Sequence, residues 1–193
     1  RIIFNGNGYS DEWVVEAEKR GLPNIKSMIE AASTLTSEKA VALFEKFGIY
    51  TKAELESREE IIYETYAKTI NIEALTMIDM AGKQIIPAVV KYTKTLADTA
   101  NAIKAAGGDA SVQTELLADV STKLAAMQKE LNKLVADEKE ASAMEDVKAQ
   151  AFFYKDTIKA TMDELRKPAD ELEMIVDKDV WPIPTYGELM FEV

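Results

Sequence analysis

Apolar and small residues line one side of the chain's longest uninterrupted stretch. Between Thr51 and Gly107 they recur at Leu75, Ile78, Gly82, Ile85, Val89, Tyr92, Leu96, Ala100 and Ile103, in steps of three and four. That is the period of an α-helix that buries one face. Ile86, Val90 and Ala97 add an adjacent stripe, wide enough for two neighbours. At the start, Thr51 and Glu54 have the spacing of a capping box. Pro87 lacks a backbone donor and crowds the carbonyl of Lys83, which predicts a kink. An unbroken helix over 52–106 would be roughly 80 Å long at 1.5 Å per residue. A compact domain therefore calls for a bend near Pro87 or a break near Asn71. Gly82, on the stripe, reads as a point of close helix packing.

The same period continues downstream. After a turn at Gly107-Gly108-Asp109, a helix over 111–136 carries Val112, Leu116, Val120, Leu124, Met127, Leu131 and Leu134. The stripe lapses over Asp137–Ser142, where a break is expected. A helix over 142–166 then carries Met144, Val147, Ala151, Tyr154, Ile158, Met162 and Leu165. Pro168 should end or restart it, with 169–177 helical again.

Upstream, residues 1–9 read as a short strand or extended lead-in followed by a turn at Asn5–Gly8. Ser10 is placed to cap a helix that runs to Gly21, with Pro23 beyond it. Short helices are expected over 26–33 and 37–47, the second stopping at Gly48. At the other end, Pro182 and Pro184 forbid a regular helix over 181–184, and Thr185 is placed to cap a last turn. The tail aromatics need a surface, on their own domain or on a neighbouring subunit. The predicted fold is all-α: an antiparallel helical bundle with one long helix kinked near Pro87 and an irregular aromatic tail. Residues 10–193 are expected to form a single helical domain.

Composition narrows the chemistry. With 193 residues, the chain can build a real core. The formal net charge of −11 repels nucleic acid and anionic membranes, and no apolar run approaches the roughly 20 residues of a membrane span. There is no cysteine and no histidine, which excludes thiolate zinc sites, Ser-His-Asp triads and di-iron sites of the Glu-x-x-His type. The chain opens on Arg1 rather than Met and reads as a piece of a longer, cytoplasmic protein.

Three features bear on function. Asn5–Gly8 has the glycines of a phosphate loop but no following Lys, so a turn is the better reading. Asp163, Glu164, Asp170, Glu171, Glu173, Asp177 and Asp179 have the residue type for Mg²⁺ or acid–base work, but at helical spacing they diverge and read as a solvated face. The long stripe reads as internal core rather than a coiled-coil seam. No catalytic, cofactor-binding or metal-binding residue is assigned.

Three stretches carry a resemblance: RIIFNGNGYSDEWV at 1–14, KTINIEALTMIDMAGKQIIPAVVKYT at 68–93, and the segment from Pro168 through the W-P-x-P-T-Y-G motif to Val193. Together they resemble the carboxy-terminal portion of type III glutamine synthetases. The resemblance implies a bacterial-type parent that ligates ammonia to glutamate using ATP and Mg²⁺ or Mn²⁺ through a γ-glutamyl phosphate. It implies a homo-oligomer of paired six-membered rings. The catalytic residues would lie before Arg1, with residues 1–9 the exit segment from that region. This chain would be a non-catalytic structural domain whose partners are its own catalytic domain and neighbouring subunits. The rival readings are an independent helical interaction module and a regulatory domain binding a small effector.

Overall fold

The computed structural model describes residues 5–184 and 186–191. Every regular element among them is helical. The chain divides into two compact units, residues 1–63 and 64–193. The strand-like reading of residues 1–4 and the cap assigned to Thr185 lie outside the described residues.

The first unit holds α1 (Asp11–Lys19), α2 (Met28–Ala32), α3 (Glu38–Lys46) and the start of α4 (Lys52–Met80). Gly21 and Gly48 end α1 and α3 with positive φ, and paired bonds such as Leu22 N–H to Ala17 and Gly21 N–H to Glu18 close the Schellman motif. Ser10 is in the N-cap conformation, but its hydroxyl donates to the Asn7 carbonyl rather than accepting from the helix. The capping box at α4 forms as expected: Glu54 Oε2 accepts from Thr51 N–H at 2.7 Å, and Thr51 Oγ1 accepts from Glu54 N–H at 3.3 Å. The Thr51 N–H and, at 2.8 Å, the Thr51 hydroxyl both donate to this carboxylate and, with Arg58 adding a smaller attraction, hold it below its ordinary value. The core of this unit is small: Ala17, Ile29, Ala32, Leu55 and Tyr63. Buried Glu59 accepts from the Tyr63 hydroxyl at 2.6 Å, and Ser33 Oγ lies 2.6 Å from the same hydroxyl.

The second unit holds the rest of α4, then α5 (Ile86–Ala105), α6 (Ser111–Ser142), α7 (Val147–Phe153), α8 (Lys159–Glu173) and α9 (Tyr186–Phe191). A π-turn at Ala81–Ile85 joins α4 to α5 without interruption, and a second at Tyr154–Ile158 joins α7 to α8. α6 packs against both α5 and α8. One apolar cluster unites them, built around Ile85, Val89, Val120, Met127, Leu134, Ile158, Leu165 and Leu172. Trp181 and Ile183 of the tail pack against it.

Four expectations are corrected. Asn71 does not break α4; the disturbance near Pro87 is met by the π-turn just before it, where the wider ladder relieves the crowding around a residue with no donor. The buried line there is Ala67, Ile70, Ala74, Ala81 and Ile85, while Leu75, Gly82 and Val90 are exposed. Gly82 is not a close-packing point: an added Cβ would meet Leu131 at an ordinary 3.6 Å. Next, α6 continues through Asp137 to Ser142 because fully buried Ala141 extends its stripe with a small side chain. The break falls at 143–146, where Asp146 caps α7 and Gln150 Nε2 donates to the Ala141 carbonyl. Finally, Pro168 lies inside α8. Its ring is buried in line with Leu165 and Leu172, which offsets the lost backbone bond.

Candidate interaction surface

The Asn5–Gly8 turn satisfies itself. Asn7 Oδ1 accepts from Tyr9 N–H at 3.0 Å, and the Asn7 carbonyl accepts from both the N–H and the hydroxyl of Ser10. This is an Asx turn feeding a helix, not a ring of free N–H groups aimed at a phosphate.

The seven carboxylates are all exposed. Asp170 pairs with Arg166 at 3.1 Å, Glu164 with Lys167 at 2.5 Å, and Asp177 accepts from the Asp179 N–H. Among the described residues, no group of three or more acidic side chains is placed to hold a metal ion. These residues do not fit ATP or its divalent metal, and no step of a reaction is assigned to them. Burial raises the phenols of Tyr66 and Tyr154 above their ordinary value.

The distinctive feature is apolar surface. Among the described residues of the first unit, ten large hydrophobic side chains are exposed, against five buried apolar ones. α3 shows why: Leu43 and Phe47 lie on one face at i, i+4, yet they are 52% and 65% exposed and the helix buries no residue. Val14 and Val15 on α1 and Ile25, Met28, Ile49 and Ile61 are exposed as well. A contiguous exposed apolar patch marks an interaction site, and Leu43 with Phe47, one turn apart on α3, is the candidate here. The sequence pattern placed a short helix over 37–47 but singled out no surface on it. The available signal was that a short helix carrying Leu43 and Phe44, with Phe47 at its C-cap, needs apolar neighbours.

No described helix is long and apolar enough to cross a membrane.

The family assignment follows. A family model described as the glutamine synthetase C-terminal domain matches residues 1–104, more than half of the chain and up to the end of α5. The chain belongs to the glutamine synthetase C-terminal domain family.

Three relatives carry the similarity across the whole chain. It is 41% identical to a glutamine synthetase of Butyrivibrio fibrisolvens, covering 100% of the chain and 28% of the relative. It is 34% identical to a type-3 glutamine synthetase of Dictyostelium discoideum, covering 99% and 27%. It is 31% identical to a glutamine synthetase of Bacteroides fragilis, covering 98% and 27%. The chain thus spans little more than a quarter of the length of these relatives.

Proposed function

We propose that this chain is the non-catalytic structural domain of a type III glutamine synthetase, and that the exposed apolar surface of its first unit packs against the rest of the enzyme. The parent would be a cytoplasmic, bacterial-type glutamate–ammonia ligase using ATP with Mg²⁺ or Mn²⁺, and its chemistry would reside in the other three-quarters of the protein. The observation that carries this reading is the imbalance among the described residues of the first unit, where exposed large apolar side chains outnumber buried ones. Such a unit leaves apolar area in water that a covering domain or subunit would remove. The aromatic tail supports a second contact of the same kind, since Leu189, Met190 and Phe191 are exposed on α9.

The test places Leu43→Asp and Phe47→Asp together in a full-length parent enzyme. Both residues are already exposed, so the helicity of the 193-residue chain should not change. The expected result is loss of the assembled oligomer by light scattering, with ligase activity falling at least tenfold. Intact assembly with undiminished activity would refute the assignment of this surface.

A further inference from the structure

A cavity of about 290 Å³ opens beside the π-turn of the second unit. Ala81 and Ile85, the two ends of that turn, line it, together with Met77, Met80 and Met127. The small side chains of Ala81 and of Ala169 on α8 leave the space, and the long thioethers can rearrange around a guest. Three of the chain's eight methionines meet at this one place, which makes the wall adaptable rather than rigid. π-turns of this kind often accompany functional sites.

One polar group belongs to this apolar wall. The indole of Trp181 lines the cavity, and its Nε1 is buried with no hydrogen-bond acceptor from the protein. A buried donor left unpaired is costly; the N–H is covered in the empty cavity, so a guest's acceptor reaches it once the indole turns toward the cavity, and the bond then relieves that cost. The open side carries exposed Arg166, Asp170 and Glu173. Arg166 is paired with Asp170 at 3.1 Å, so Glu173 leaves the mouth net negative. Anions, including nucleotides and dicarboxylates, are therefore disfavoured there.

We infer that this cavity is a binding site for a small, mainly apolar molecule, neutral or cationic, that offers one hydrogen-bond acceptor to Trp181. The volume lies at the lower end of the range for ligand pockets, which fits a compact ring rather than an extended chain. The site lies wholly within the second unit and does not depend on the surface assigned to the first.

The experiment follows the indole N–H resonances of the ¹⁵N-labelled chain. The sequence has two tryptophans, and a Trp13→Phe variant leaves Trp181 as the only reporter. Three probes are titrated: cyclohexanone, with a ring and an acceptor; toluene, a similar ring without one; and cyclohexanecarboxylate, a ring with a negative charge. The expected result is a saturable shift of the Trp181 resonance by cyclohexanone, with toluene and the carboxylate each at least tenfold weaker. Ala169→Phe and, separately, Met80→Trp fill the cavity from partly exposed positions and should abolish the cyclohexanone shift while leaving helicity unchanged. A shift that never saturates, or that survives both filling variants, overturns the site. Equal binding of toluene overturns the role of Trp181, and equal binding of the carboxylate overturns the charge selection.

Discussion

Replacing Thr161 with valine tests how α6 and α8 are locked together. Thr161 is fully buried on α8, where its hydroxyl donates to Asp137 Oδ2 of α6 at 2.6 Å and accepts from Lys133 Nζ at 3.0 Å. Valine has nearly the same shape, so packing is preserved and the change isolates the two hydrogen bonds. A hydrogen bond to a charged group contributes about 1.5–3 kcal/mol when buried. The Lys133 contact adds little because its side chain is 54% exposed. Asp137, only 16% exposed, would keep a single partner, Lys133 at 3.8 Å. The sum is a loss of about 2 kcal/mol, or roughly 4–8 °C in melting temperature for a chain of this size. Urea unfolding followed by circular dichroism measures it, with Thr122→Val as control. The Thr122 hydroxyl bonds only its own helix at Ala118 and is exposed, so that change should stay within about 0.5 kcal/mol. A double-mutant cycle with Asp137→Ala should give a coupling of about 1–2 kcal/mol. If Thr161→Val is neutral or stabilising at unchanged denaturant slope, the hydroxyl does not hold the carboxylate and the reasoning fails.

Two glycines should respond with opposite sign. Gly82→Ala lies in a helical stretch where the new Cβ meets only Leu131 at 3.6 Å, and it should stabilise the chain by about 0.5–1 kcal/mol in the same urea assay. Gly48→Ala sits at φ +62, which L side chains resist, and should destabilise by about 1–2 kcal/mol although nothing is within 4 Å. The capping box gives a pH dependence. The Glu54 carboxyl is lowered in the folded chain by the Thr51 backbone and side-chain bonds, so its stabilisation is present above the unfolded value of 4.5 and is lost as pH falls through the lowered folded value. Glu54→Ala should therefore lower the melting temperature at neutral pH, and the gap to the parent chain should narrow as the pH drops below that window. A gap that does not change with pH would contradict the cap.

Much of this architecture follows from pattern and local chemistry. The period of apolar residues located the long helix, the helix beyond Gly107 and the one carrying Tyr154, because a helix that buries one face must repeat every three to four residues whatever it packs against. Gly21, Gly48 and the pair Thr51 and Glu54 marked helix ends because unpaired backbone groups there need particular residues close by. The three motif stretches pointed to the family, and the family match agrees. Tertiary structure decided what depends on partners distant in sequence. Pro168 continues a helix because a core receives its ring, and Ala141 extends α6 because a small side chain can be fully buried without looking apolar in the pattern. The π-turns leave no mark in residue type, and which side of α4 is buried, with Leu75 and Gly82 turned to solvent, depends on what packs there. The cavity at Trp181 and the bare face of α3 are of the same kind: each is defined by what neighbouring elements leave uncovered, and a linear pattern records only which residues need covering.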